Sequence, residues 1–201
     1  MTRVLLADYG VGNLHSVRRA LENAGVRVAF ASPAGDLSRF DAVVLPGVGA
    51  FGPAAARVAR AREPLRAWIE AGRPLLGICL GMQLLFDDSE ESPGVPGLGV
   101  LAGPVRRLPA RRLPQIGWND LAVRKDPLFE ELPPAPQVYF VNSFAPVPRE
   151  DVTIATAEYG STFCAAVRKR NAYGVQFHPE KSSRTGLRMI ENFLELARES
   201  S

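Results

Sequence analysis

Pro74-Leu75-Leu76-Gly77-Ile78-Cys79-Leu80-Gly81-Met82-Gln83-Leu84-Leu85-Phe86 decides how this chain is read. One apolar run leads into Gly-x-Cys-x-Gly and another leads out. This is the pattern of a nucleophile elbow, strand then sharp turn then helix, with cysteine in the serine position. The flanking glycines permit the tight backbone of the turn and leave room around the sulfur. The thiol is expected at the carboxyl end of a sheet and the start of a helix, where free N–H groups and the helix dipole favour a thiolate and an oxyanion. A free cysteine is more often a small buried hydrophobe. Cys164, in Ser161-Thr162-Phe163-Cys164-Ala165-Ala166-Val167, reads that way, as a core strand residue.

Outward from the elbow, the first half alternates. Val4 to Ala7 reads as a strand, and Asn13 to Ala24 as a helix with Leu14, Val17 and Leu21 at helical spacing and Gly25 as its stop. Val26 to Ala31 and Ala42 to Leu45 are further strands, followed by a glycine-rich loop, a helix from about Pro53 to Ala61, another over Glu63 to Ala71, and a strand over Leu75 to Ile78. Strands alternating with helices predict a parallel α/β sheet, and apolar runs without period-two alternation predict strands covered on both faces. Between Val100 and Ala166, short stretches split by Pro and Gly predict antiparallel or mixed additions to the sheet. A last helix from about Thr185 to Arg198 places Leu187, Ile190, Phe193, Leu194 and Ala197 on one face.

The 201 residues fit one domain, 1–201, and 46% apolar against 22% charged residues describe a globular chain. No apolar run approaches the roughly 18 residues of a membrane span, and Met1 to Asp8 turns acidic too soon for a signal peptide. Two distant cysteines with no CxxC suggest neither a disulfide framework nor a metal site, so the expected setting is a reducing cytoplasm. The net charge of +3 is mild. The clusters Arg106-Arg107, Arg111-Arg112 and Arg168-Lys169-Arg170 carry no aromatic interleaving, and they read as solvated faces or turn tips, not a nucleic-acid surface.

A catalytic cysteine needs a base, and the chain has two histidines. His15 lies early in the first helix and reads as a surface or interface side chain. His178 lies in Gly174-Val175-Gln176-Phe177-His178-Pro179-Glu180-Lys181, and Pro179 keeps it extended. Residues two apart in an extended segment share a side. Glu180 can therefore accept from one ring nitrogen while the other faces a thiol. Oxyanion donors are expected from the Leu80 N–H and from the loop Pro46-Gly47-Val48-Gly49-Ala50-Phe51-Gly52, chiefly near Val48 and Gly49. That loop also reads Gly-x-Gly-x-x-Gly. It follows the third strand, though, and a dinucleotide fingerprint belongs to the first strand–helix unit, so no cofactor is expected.

Taken together, Gly77-Ile78-Cys79-Leu80-Gly81 and Gln176-Phe177-His178-Pro179-Glu180 resemble the class I, triad-type glutamine amidotransferases over nearly the whole chain. Asp8-Tyr9-Gly10-Val11-Gly12-Asn13-Leu14, the Pro46–Gly52 loop, Leu80-Gly81-Met82-Gln83, Gly117-Trp118-Asn119 and His178-Pro179-Glu180-Lys181-Ser182 are most similar to the glutaminase subunits of imidazole glycerol phosphate synthases. The resemblance implies a flavodoxin-like, doubly wound mixed sheet with helices on both faces. It implies a Cys79, His178, Glu180 triad, an oxyanion loop at Gly47 to Gly49, and glutamine binding by Gln83 and Glu91. It implies a partner-facing role for Asn13, Trp118, Tyr139 and Lys181, although core packing is an alternative for Trp118 and Tyr139. Asn142 stands where relatives often carry His, an amide that cannot titrate.

The implied reaction is glutamine hydrolysis through a Cys79 thioester, with the ammonia passed to a separate (β/α)₈-barrel cyclase subunit, since only about twenty residues follow Glu180. The sequence leaves three rivals open: a glutaminase subunit of another synthase, such as one for pyridoxal phosphate, a stand-alone cysteine hydrolase of related fold, and an inert regulatory subunit of the same fold.

Overall fold

The computed structural model describes residues 1–10 and 13–199. Val11 and Gly12 of the opening stretch quoted above lie outside the described residues, as do Ser200 and Ser201. The first half alternates as its apolar runs predict: β1 (Arg3–Ala7), α1 (Leu14–Asn23), β2 (Arg27–Ala31), β3 (Ala42–Leu45), α2 (Phe51–Val58), α3 (Arg62–Glu70), β4 (Leu75–Ile78) and α4 (Leu80–Gln83). Short strands follow: β5 (Asp88–Ser89), β6 (Pro104–Arg107), β7 (Gln115–Asp120), β8 (Ala122–Val123), β9 (Gln137–Asn142) and β10 (Phe144–Pro146). Then come β11 (Thr153–Glu158), β12 (Thr162–Lys169), β13 (Ala172–Val175) and the closing helix α5 (Ser183–Glu199).

Among the described residues, eight strands form one sheet in the order β2-β1-β3-β4-β13-β12-β11-β8. From β2 to β13 neighbouring strands are parallel; from β13 to β8 they are antiparallel. Successive side chains on a strand point to opposite faces, and this splits the core in two. Val4 and Leu6 of β1 pack with Val17 and Leu21 of α1 and Ile190 and Phe193 of α5. Leu5 and Ala7 pack on the other face with Phe51 and Val58 of α2 and Leu65 and Trp68 of α3. The sheet is doubly wound, and each buried Leu or Phe contributes about 1.5–3 kcal/mol.

Local chemistry sets the helix ends. The Asn13 side chain accepts from the Ser16 N–H at 3.5 Å and caps α1, and Gly25, at φ +81°, takes the left-handed turn beyond its end. Ala50 has no side chain with which to cap α2. Instead the Phe51 N–H donates to Glu91 Oε2 at 2.7 Å and the Gly52 N–H to Ser92 Oγ at 3.0 Å. This remote cap starts α2 two residues before the Pro53 that the sequence suggests. On α5 the buried face runs through Gly186, Met189, Ile190, Asn192, Phe193, Leu194 and Ala197. Leu187, expected on that face, is exposed because it falls at the rim of the buried arc.

Two smaller sheets flank the large one. The sheet β10-β6-β5 lies to one side, and β7 pairs with β9 as an antiparallel ribbon. The ribbon reaches the carboxyl ends of β4 and β13, where ligands bind in open α/β sheets. Arg106, Arg107, Arg111, Arg112 and Arg170 are exposed, as expected, while Arg168 and Lys169 are half-buried. Arg168 pairs with the buried Asp126 at 3.0 Å and lies over the Tyr173 ring, and Lys169 pairs with Glu150 at 3.0 Å.

Candidate active site

Cys79 directly follows β4 and holds φ 53°, ψ −109°, a sparsely populated positive-φ conformation that costs a residue with a Cβ about 1–3 kcal/mol. Its surroundings enforce the strain. The Cys79 N–H donates to the Val175 carbonyl at the end of β13 at 2.7 Å. A methyl group on Gly81 would sit 1.9 Å from the Leu45 carbonyl oxygen, one on Gly77 2.8 Å from the Gly81 oxygen, and one on Gly47 2.7 Å from Leu80 Cβ. These glycines let β3, the loop after it and the elbow pack backbone against backbone. That replaces the expectation that they make room around the sulfur.

The helix after the elbow is a single turn, shorter than the apolar run through Phe86 suggests. The carbonyls a longer helix would use are taken by an incoming segment: Leu98 N–H donates to Leu84, Val100 and Leu101 to Leu85, and Gly99 to Phe86, at 2.7–3.1 Å. One turn carries little macrodipole. What remains is a set of free N–H groups on the elbow and on the loop after β3. Among the described residues, the N–H groups of Val48, Gly49 and Leu80 have no protein acceptor.

Strand pairing brings the base to the elbow. β4 and β13 run in parallel with Gly77 opposite Gly174 and Ile78 opposite Val175. The residue after β4 is Cys79, and Gln176 and His178 are the first and third residues after β13. His178 Nδ1 lies 2.8 Å from Glu180 Oε1, with both side chains almost fully buried. With Nδ1 so engaged, Nε2 is the ring nitrogen left to serve Cys79, which lines the same cleft. Burial pushes the imidazole down, but hydrogen bonds donated to Cys79 and Glu180 and the negative charge of those groups outweigh it and raise His178 to about 9. The His178 N–H donates to the Tyr139 carbonyl at 2.9 Å, and Ser182 Oγ donates to the His178 carbonyl at 2.6 Å while accepting from the Tyr139 N–H at 2.9 Å.

These groups open on a cleft of about 250 Å³. Val48, Gly49, Cys79, Leu80, Gln83, Glu91, His178 and Lys181 line it, drawn from four separate segments of the chain. Gly47 lies buried beneath Leu80, and Glu180 stands behind His178, so neither lines the cleft. Asn13, Trp118 and Tyr139 lie outside it. Trp118 is 53% exposed on the ribbon with Tyr139 edge-on to it at 6.0 Å, so core packing does not account for Trp118. His15 is exposed and Cys164 is buried in β12, as their contexts suggest.

Sequence reasoning missed part of the wall. Pro114, Val141, Ser143 and Phe144 line the cleft from the ribbon and its flanks, as does Asn142, which was noted only as a departure from relatives. The Asn142 Nδ2 and Gln83 Nε2 both donate to the Phe144 carbonyl, at 3.2 and 3.1 Å. Gln176 was missed as well, although it lies in the quoted Gln-Phe-His-Pro-Glu motif two residues before His178. The period-two argument used for Glu180 applies equally to it.

A strained cysteine, a buried imidazole–carboxylate pair and free N–H groups around one cleft suit nucleophilic acyl transfer. Among the described residues, no group of three His, Cys, Asp or Glu side chains is placed to hold a metal, and no helix is long and apolar enough to cross a membrane.

The chain matches the model of the family "Glutamine amidotransferase class-I" over residues 5–197. It is 46% identical over 203 aligned positions to a Moorella thermoacetica protein described as imidazole glycerol phosphate synthase subunit HisH, covering 98% of this chain and 97% of that one. A Thermococcus kodakarensis protein of the same description is 46% identical over 199 positions, covering 96% and 100%. A crystal structure of a glutamine amidotransferase superposes with TM-score 0.75 at 25% identity, covering 97% of this chain and 98% of that one. PurLQS from Thermotoga maritima shares the fold, with TM-score 0.80 at 21% identity and coverage of 96% and 98%. With the family model spanning most of its length, the chain belongs to the class-I glutamine amidotransferases.

Proposed function

We propose that this chain, acting as one domain over residues 1–201, is the glutaminase subunit of an imidazole glycerol phosphate synthase. The observation that carries the reading is the meeting of Cys79 and His178 at one cleft, with Glu180 bonded to the imidazole from behind, in a chain whose relatives over nearly its whole length bear that description.

The Cys79 thiolate attacks the side-chain carboxamide carbon of glutamine. Leu80 N–H and the Val48–Gly49 backbone hold the oxyanion, with Gly47 as the spacer that lets the loop approach. The His178 imidazolium gives its proton to the departing nitrogen, ammonia leaves, and a thioester remains. His178 then takes a proton from water, the hydroxide adds to the thioester carbon, and glutamate leaves as the thiolate re-forms. Glu180 holds the ring in the required orientation throughout. Gln83 and Glu91 bind the amino-acid end of glutamine, the Glu91 carboxylate facing its ammonium. No cofactor takes part.

Ammonia released into water would protonate and diffuse away, so a separate cyclase subunit, a (β/α)₈ barrel, docks over the cleft. Asn13, Trp118, Tyr139 and Lys181 face it. The exposed apolar side chains of Trp118 and the neighbouring Ile116 on the ribbon support this reading. The working compartment is the reducing cytoplasm, which keeps Cys79 a thiol.

The test is Cys79→Ala in the complex with the cyclase encoded by the same organism. Glutamine-dependent synthesis is expected to vanish while synthesis fed by ammonium salts continues at the parent rate. Glutamine turnover surviving in Cys79→Ala would overturn the assignment.

A further inference from the structure

Behind the nucleophile, three amides stand in a row whose orientation can be worked out. The Phe144 carbonyl can only accept. It therefore fixes the Gln83 group 3.1 Å away as the NH₂ end. The same Gln83 Nε2 lies 3.0 Å from the Gln176 side chain, so the Gln176 atom facing it is its oxygen. That leaves the Gln176 NH₂ pointing at Cys79 Sγ, 3.6 Å away. Gln176 is fully buried, and no water competes for this donor. The backbone holds it as firmly, through its N–H to the Ala165 carbonyl at 2.8 Å.

We infer that Gln176 is a further catalytic residue of this site: its side-chain NH₂ donates to the Cys79 thiolate and holds the sulfur ionised and aimed, with Gln83 and the Phe144 carbonyl locking the amide so that nitrogen, not oxygen, meets sulfur. The inference rests on Cys79 being the nucleophile. A donor beside an anion favours the charged form, more so away from water. The titratable groups around the sulfur are His178 from the β13 side, with Glu180 behind it, Tyr9 from the β1 side, and Glu91 and Lys181 on the walls of the same cleft. The Tyr9 phenol is pushed up by burial and by the Cys79 charge, so it stays neutral. The backbone carbonyl of Val141, 3.8 Å from Sγ, can accept only from a thiol. Ionisation therefore trades the Val141 contact for the Gln176 one. The same donor serves twice in a turnover, once for the attacking thiolate and once for the thiolate expelled from the thioester.

The decisive variant is Gln176→Glu. Glutamate has nearly the same shape, and one carboxylate oxygen can still accept from Gln83, but the other places an acceptor and a negative charge against the sulfur. Carbamidomethylation of Cys79 by iodoacetamide is followed in the purified full-length chain across pH 5.5–9.5, reading the Cys79 peptide by mass spectrometry. Cys164 is buried in β12 and its thiol is pushed up to about 11 by burial, so it does not confuse the readout. The midpoint is expected to rise by at least about one pH unit in Gln176→Glu, a tenfold slower reaction below both midpoints. Gln83→Leu, which leaves Gln176 in place but unlocked, should shift it the same way by less, and it decides the matter if Gln176→Glu does not fold. An unshifted midpoint in the folded variants overturns the role of Gln176 and leaves the nucleophile assignment standing. A parent Cys79 that resists a glutamine-analogue electrophile in the folded chain and in the complex overturns both.

Discussion

Burial alone would strip the proton from the His178 ring; Cys79 and Glu180 together reverse that and carry it to about 9. The sign of the resulting pH dependence follows from linkage. In the unfolded chain the imidazole loses its proton near about 6.5, while the folded chain keeps it until about 9. The stabilisation is therefore complete below the lower value, declines between the two, and is gone above the upper. Urea denaturation of the parent and of His178→Asn at steps of pH should give curves that converge over this window, and parallel curves would mean that the ring is neutral throughout. Glu180→Gln keeps the shape but removes the charge. It should lower the ring's titration midpoint by NMR and reduce kcat on the order of 100- to 10,000-fold. The Cys79, His178 and Glu180 spacing was legible because each relation is local: Gly-x-Cys-x-Gly on one segment, two residues from His to Glu on another. Gln176 was not, because its role depends on which end of Gln83 faces it, and a carbonyl on a third segment decides that.

The parallel half of the sheet could be read strand by strand, since uninterrupted apolar runs such as Leu75–Ile78 admit no other burial. Two element boundaries could not. α2 begins early because Glu91 and Ser92, forty residues onward, cap its first N–H groups, and α4 stops early because residues 98–101 take the carbonyls it would have used. Both are tertiary overrides of a local signal. The elbow glycines separate the two uses of this residue. Gly81→Ala drives a methyl into the Leu45 backbone, which cannot rotate away, and should cost about 3 kcal/mol or more in urea unfolding, along with most of the activity. Gly25→Ala meets open space and only a positive φ, so a loss of about 1–2 kcal/mol with unchanged turnover is expected. Equal costs at the two sites would mean that the elbow backbone yields, contrary to the close packing of β3 on Gly81.

At the scale of the whole molecule, the β7–β9 ribbon contributes to two things at once. Its free backbone edge on β9 is bonded to the triad segment, through Tyr139 to His178 and Ser182. Its outer side shows Ile116 and Trp118 to solvent, 63% and 53% exposed. The sequence left Trp118 open between core and surface, because period-two alternation fixes which residues share a face without saying which face is covered. Exposure resolves the physical alternatives by experiment. If the outer face is the seat of the cyclase, Ile116→Ser with Trp118→Ala should leave the unfolding free energy of the isolated chain within about 0.5 kcal/mol of the parent. The same double variant should weaken the complex by about 2 kcal/mol, roughly 30-fold in Kd by titration calorimetry. The reverse pattern, a destabilised chain with unaltered affinity, would assign the aromatic pair to the fold and move the partner elsewhere. Because the ribbon's backbone is bonded to His178, a docked partner would also press on the base, so the variant's glutamine-fed synthesis across a titration with the cyclase separates lost docking from a disturbed triad: it should climb to the parent rate as the cyclase concentration rises, whereas a disturbed triad would stay slow at saturation.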